Sequence, residues 1–253
     1  MIKDEDTRVK LTSDNEFYIN ANYIGVDDKV LYIAGQGPLA NTIYDFWRMI
    51  IEEDVKVILM LANVIEKNSK KCEQYWPNLG DKGGATPDDS NPREQRDIIV
   101  SNVNEDLIKN EIYDRTIKVG FSGAEEKIVH IVHFTTWPDF GVPNLSTFSE
   151  VVYLVNNLNT TKSKIYVHCS AGVGRTGTFC LVDSILKDYQ NGVDIDAEKI
   201  MERAVSLKVC LVFQQLILTL KLQKQRFGMI QTQEQYHFAY SSIAHIIEQN
   251  VNK

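Results

Sequence analysis

Apolar residues in the first third of the chain fall into short blocks that switch period. Phe17–Ile24 and Val30–Ala34 read as strands around an Asp27-Asp28 turn. Ile43, Phe46, Trp47, Ile50 and Ile51 then recur at helical spacing, behind Thr42 as a cap with Asp45 three residues on. Val55–Ala62 is a nearly continuous apolar run, the pattern of a strand covered on both faces. Residues 78–97 carry glycine, proline and aspartate and read as an exposed connection. Ile98–Val103, Tyr113–Phe121 and Lys127–Thr136 are expected to form an antiparallel set. Helical spacing returns at Phe148, Val151, Val152, Val155 and Leu158, behind a Thr147–Glu150 capping box. It returns again from Phe179 to Tyr189, with Gly192 as the stop, and from Asp194 to Ile200. A last helix carries Tyr236, Ala239, Tyr240, Ile243 and Ile247 behind Thr232 and Gln235. Strands interleaved with helices make this an α/β chain.

Composition narrows the setting. At 253 residues the length suits one large domain with a substantial core. A formal charge of −7 argues against a nucleic-acid partner, although a phosphate site needs only local positive potential. Cys72, Cys169, Cys180 and Cys210 have neither disulfide-framework nor zinc spacing, which points to a reducing, cytoplasmic setting. Met1 to Asp6 is no signal peptide, and the apolar run Val209–Leu220, broken by Gln214 and Gln215, is too short to span a membrane. The five histidines show no ligand cluster, so no metal is implied, and no cofactor is expected.

The chemistry centres on Ile165–Thr178. An apolar strand run delivers Cys169 into a loop holding Gly172, Gly174 and Gly177, and a helix follows at once. Backbone N–H groups at such a junction converge on an anion, and the helix dipole adds positive potential. Arg175, six residues after Cys169, adds a planar fork suited to two phosphate oxygens. The same field favours thiolate over thiol in a cysteine placed within it. A buried structural cysteine beside a glycine turn is the plain alternative, but it needs neither three glycines nor an arginine. A bare Cys-x5-Arg also occurs in sulfur-transfer and arsenate-reducing loops.

The longer string His168-Cys-Ser-Ala-Gly-Val-Gly-Arg-Thr-Gly177 resembles the signature of the tyrosine-specific protein phosphatases, and the likeness runs from about Thr7 to Ile247. Gly35–Leu39 matches a further motif, Glu66-Lys67 with Lys71–Pro77 resembles the family's mobile loop, and Trp137–Pro143 matches its movable acid loop. The resemblance implies a single domain with a central, highly twisted mixed β-sheet flanked by α-helices. It also implies phosphotyrosine-containing proteins or peptides as partners. Cys169 would be the nucleophile. The Arg175 side chain and the amides of Ser170, Ala171, Gly172, Val173, Gly174 and Arg175 would hold the phosphate. Asp139 would be general acid and then base. Gln231 would position water, with Gln235 assisting, and Thr176 would hydrogen-bond the cysteine sulfur. Trp137, Phe140, Glu66 and Lys71 would support these loops, and His168 would be a neutral scaffold.

The sequence departs from the family in two places. An asparagine-arginine-tyrosine segment whose tyrosine walls the pocket normally precedes the part matching Asp6–Leu11, and residues 1–253 begin after it. About twenty residues, 201–220, are not called for by the family pattern. If they pack nothing, Leu211, Val212, Leu216 and Leu218 are exposed and removal costs no stability. Two readings remain: an active protein-tyrosine phosphatase, or a phosphotyrosine-binding module of weak or no activity. A lipid or dual-specificity phosphatase is disfavoured by the Trp-Pro-Asp-Phe loop and the paired glutamines.

Overall fold

The apolar run at 55–62 is the middle of an eight-stranded sheet. The computed structural model describes residues 5–11, 18–26, 29–87, 96–109, 111–138, 141–190 and 204–251, with backbone only at 204–214 and 250–251. Its strands are β1 (Ala21–Val26), β2 (Lys29–Gly35), β3 (Val57–Met60), β4 (Ile65–Glu66), β5 (Ser69–Lys70), β6 (Lys82–Ala85), β7 (Ile98–Ile108), β8 (Ile112–Phe121), β9 (Lys127–Phe134) and β10 (Ile165–His168). Its helices are α1 (Ile43–Glu52), α2 (Leu145–Leu158), α3 (Gly174–Gln190), α4 (Ala204–Gln225) and α5 (Gln233–Val251). The sheet runs β1-β2-β10-β3-β9-β8-β7-β6, and β4 and β5 form a separate hairpin. The pairs β2/β10, β10/β3 and β3/β9 are parallel, and the outer pairs are antiparallel, so the twisted sheet is mixed as expected.

Side-chain alternation separates two cores. Val57 and Leu59 of β3, with Ile165 and Val167 of β10, face α2, α3 and α5. Ile58, Met60 and Tyr166 point the other way, toward α1 and the Tyr75-Trp76 segment. Continuous apolar sequence is what a strand buried on both faces requires. The parallel centre places the carboxyl ends of β3, β9 and β10 on one edge, where their loops meet.

Several elements differ from the sequence reading. Residues 12–17, Asp27-Asp28, Gly192 and Asp194–Ile200 lie outside the described residues. The connection at 78–97 contains β6, an edge strand paired with β7. Gly83 and Gly84 hide it from propensity, because an edge strand can be held by its backbone ladder alone. Thr42 sits at the N-cap of α1 without capping it; its hydroxyl exchanges hydrogen bonds with Leu39 N–H (2.9 Å) and the Leu39 carbonyl (3.3 Å). The cap of α2 is Asn144, whose Oδ1 accepts from the N–H groups of Ser146 and Thr147, so the helix starts ahead of the Thr147–Glu150 box.

Most of 201–220 falls in α4. Leu216 is exposed as expected, but Leu218 is buried in the core with Leu222, which corrects the expectation for that residue. Leu211 and Val212 have side chains outside the description. Gln215 is also buried, with Nε2 donating to the Tyr236 carbonyl at 2.7 Å. Gln215 Oε1 and Thr219 Oγ1 are buried without a hydrogen-bond partner among the described residues. Each such atom costs about 1–3 kcal/mol, so this helix fills the core imperfectly.

Candidate active site

The strand–loop–helix anticipated at 165–178 is present: β10 ends at His168 and α3 begins at Gly174. Backbone bonds fix the loop to its neighbours. Leu61 N–H donates to the His168 carbonyl (2.9 Å), and Gly37 N–H donates to that of Ser170 (2.8 Å). Ser170 Oγ donates to the Lys71 carbonyl at 3.0 Å, so Lys71 supports the loop through its backbone. Gly172 adopts φ +70°, and a Cβ there would lie 1.9 Å from the Gly35 carbonyl oxygen. Only glycine fits that position.

Cys169 is 6 % exposed, and Thr176 Oγ1 donates to its Sγ at 3.4 Å. Arg175 is aimed by a two-pronged ion pair. Nη1 reaches Glu66 Oε1 at 2.7 Å and the Leu61 carbonyl at 3.0 Å, and Nη2 reaches Glu66 Oε2 at 2.9 Å. Glu66 stands on the β4–β5 hairpin, whose turn residues Lys67 and Asn68 both have positive φ. A guanidinium is planar and can meet two phosphate oxygens at once.

His168 is fully buried. A carbonyl only accepts, so Nδ1 carries the proton it donates to the Cys169 oxygen (3.0 Å), and Nε2 accepts from the Tyr75 hydroxyl (2.9 Å). Burial lowers its pKa from 6.5 to about 4, against the pull of the Cys169 carbonyl, which keeps it neutral at physiological pH. His133 is likewise lowered to about 3, by burial first and then by the Arg115 charge. The unfolded chain binds both protons near pH 6.5 and the fold does not, so stability falls as pH drops from about 6.5 toward 4. The expected slope is on the order of 1.4 kcal/mol per pH unit for each ring. Urea denaturation at pH 7 and pH 5 measures it; equal stability at both would mean that the fold accepts the protons. Cys72 and Cys180 are buried thiols pushed upward by desolvation, Cys72 to about 12, and both stay protonated.

Gln231 and Gln235 meet at the start of α3. A Cβ on Gly174 would lie 2.8 Å from Gln231 Oε1 and 2.9 Å from Gln235 Nε2. Gln235 Oε1 accepts from the Gln231 N–H at 2.9 Å, and Gln235 N–H donates to Thr232 Oγ1 at 3.1 Å. The anticipated box is thus half formed, and its returning arm holds the backbone of Gln231 instead of the cap. Ile230, before it, has φ +60°, a strained conformation for a β-branched residue that turns the chain at the site.

Asp139 and Phe140 lie outside the described residues. Their flanks are fixed: Trp137 is buried against Phe134, Phe148 and Phe238, and its Nε1 donates to the Gly141 carbonyl at 3.0 Å.

Arg226 was not singled out by the sequence. It is fully buried behind the loop, donating to the carbonyls of Gly172 (2.7 Å) and Ala171 (3.0 Å) and to Asn22 Oδ1 (2.6 Å) and Asn20 Oδ1 (3.0 Å). With those carbonyls turned to Arg226, peptide planarity directs the N–H groups of Gly172 and Val173 away from it. Two asparagines at i, i+2, one just before β1 and one on it, were the available signal. Arg226→Met leaves two buried and two partly buried acceptors without this donor and is expected to cost about 3 kcal/mol or more. It should also weaken inorganic phosphate binding. A variant of unchanged stability and phosphate affinity would remove Arg226 from the cradle.

Among the described residues, no group of three His, Cys, Asp or Glu side chains is placed to hold a metal, and no helix is long and apolar enough to cross a membrane. The family model for protein-tyrosine phosphatase matches residues 1–245. The chain is 36% identical over 258 residues to receptor-type tyrosine-protein phosphatase eta of Gallus gallus, covering 98% of this chain and 16% of that protein. It is 32% identical over 244 residues to human tyrosine-protein phosphatase non-receptor type 2, covering 94% of this chain and 52% of that protein. The chain thus spans about half or less of these relatives. The crystal structure of the catalytic domain of human protein tyrosine phosphatase non-receptor type 18 superposes with a TM-score of 0.79 at 32% identity, covering 96% of this chain and 80% of that one. Because the family match runs through nearly the whole chain and takes in the loop built around Cys169, this chain belongs to the protein-tyrosine phosphatase family.

Proposed function

We propose that this chain hydrolyses phosphotyrosine in proteins through a cysteinyl-phosphate intermediate, with residues 1–253 acting as the catalytic domain and 201–220 as an insertion in it. One observation carries the reading. Thr176 Oγ1 donates to Cys169 Sγ in the loop between β10 and α3, and Arg175, at the start of α3, is held by Glu66. In the first step Sγ attacks phosphorus and the bond to the phenolic oxygen breaks. The electron pair leaves with that oxygen, which takes a proton from Asp139. The Arg175 side chain and the amides of residues 170–175 carry the charge on the equatorial oxygens. In the second step Asp139 takes a proton from water placed by Gln231, the water oxygen bonds to phosphorus, and the S–P bond breaks. Thr176 stabilises the returning sulfur, and inorganic phosphate departs.

The partners of this reading are phosphotyrosine-containing proteins or peptides in cytoplasmic signalling. The net charge of −7 weighs against a nucleic-acid role. The test is phosphate release from matched phosphotyrosine and phosphoserine peptides and from a small aryl phosphate. Release from the tyrosine peptide and the aryl ester, with little from the serine peptide, is the expected result. Absence of release from all three would overturn the proposal.

A further inference from the structure

Backbone pairing between β3 and β9 ends at Met60 and His133. Beyond that point the chains diverge, one toward Glu66 and the other toward Trp137. Side chains continue the pairing where the ladder stops. His133 Nδ1 faces the Arg115 guanidinium at 3.4 Å, which can only donate, so Nε2 carries the proton given to the Ala62 carbonyl at 3.0 Å. One residue on, Asn63 Nδ2 donates to the Thr135 carbonyl at 2.8 Å, two residues before Trp137. The backbone N–H of the same Asn63 donates to Glu66 Oε1 at 3.0 Å, the oxygen that also accepts from Arg175. Thr135 is pinned from its far side as well, its N–H and hydroxyl both donating to the Glu111 carbonyl.

We infer that Asn63 is a positioning residue that sets the departure of the Asp139 loop from the sheet relative to the arginine that grips phosphate. The inference rests on the proposed reaction and goes beyond it, since Asn63 touches no reacting atom. Its side-chain amide is half-buried and directional and holds the strand end that leads to Trp137, while its backbone N–H holds Glu66, the partner of Arg175. General acid catalysis requires the donor within about 2.6–3.2 Å of the leaving oxygen. A displacement of about 1 Å from a remote change can cost about 10²-fold. The arginine side is over-determined, because Glu66 holds Arg175 through two prongs whatever the side chain at 63. The acid side has the Asn63 bond on one flank of Thr135. Losing that bond should therefore impair protonation of the leaving group and spare phosphate binding.

An aspartate at this position would lack the N–H donor and would set a carboxylate against the Thr135 carbonyl and Glu66. Asn63→Asp should therefore behave like Asn63→Ala or worse, despite its matching shape. The experiment compares kcat of Asn63→Ala, Asn63→Asp, Asp139→Ala and the double variant Asn63→Ala/Asp139→Ala. Each is assayed on phenyl phosphate, a poor leaving group, and on 2,4-dinitrophenyl phosphate, whose phenolate needs no proton. Inhibition by inorganic phosphate and a thermal melt accompany each variant. The expected loss for Asn63→Ala is about 10-fold on the phenyl ester and under about 3-fold on the activated ester, within the range that misplacement produces. Phosphate inhibition should be unchanged. The double variant should be no slower than Asp139→Ala, because both changes act through one proton.

Equal loss on both esters, additive loss in the double variant, or no loss at all overturns the inference while leaving the proposed reaction standing. If Asp139→Ala itself shows no leaving-group dependence, the proposed reaction fails and the inference falls with it. If Asn63→Ala does not fold, Asn63→Asp carries the same comparison.

Discussion

Cys169→Ser is expected to abolish turnover, a loss on the order of 10⁴-fold or more, while inorganic phosphate still binds. The loss follows from what surrounds Sγ. A serine hydroxyl reacts only when a base takes its proton, and the nearby histidine cannot serve. His168 directs Nδ1 to the Cys169 carbonyl and Nε2 to Tyr75, so neither nitrogen faces the nucleophile. Thr176 donates toward the sulfur and offers no base. A thiol ionises far more readily than an alcohol, so only sulfur reacts in this cradle without one. The amides and Arg175 are untouched by the change. Phosphate release by the variant, with calorimetry of phosphate binding, measures both halves. Substantial residual hydrolysis would sink the nucleophile assignment.

Asp139→Ala is expected to lower kcat by about 10²–10⁴-fold on esters with poor leaving groups, the usual worth of general acid catalysis. The loss should shrink on activated esters, where the departing phenolate is stable without a proton. The flanks of the loop support this reading. The Trp137 indole is anchored in the aromatic core, and the Gly141 N–H donates to the Pro138 carbonyl at 3.3 Å, so both described ends of the loop are tied down. An equal loss on both ester classes would mean that Asp139 acts on the fold and not on the proton.

The sequence by itself determined what is local. The strand–loop–helix at 165–178 was legible because glycines, a cysteine and an arginine at fixed offsets leave few backbone solutions. The apolar stripe of α1 and the double-faced strand β3 were legible because burial imposes a period. The Thr232 cap was legible, but those of α1 and α2 were not, because Thr42 turns its hydroxyl to Leu39 and Asn144 takes the N–H groups of Ser146 and Thr147, and several capping patterns fit one stretch. β6 was missed because glycine in an edge strand carries no apolar signal.

Tertiary structure alone decided the rest. Glu66 reaches Arg175 across 109 residues, and Arg226 reaches Asn22 across 204. No period or spacing in a chain encodes contacts of that separation. They exist because parallel strands bring the carboxyl ends of β3, β9 and β10 to one edge, where loops distant in sequence must share hydrogen bonds. A buried donor left unpaired there would cost about 1–3 kcal/mol, so the crossing of the strands, and not the order of the residues, selects which side chains meet around Cys169.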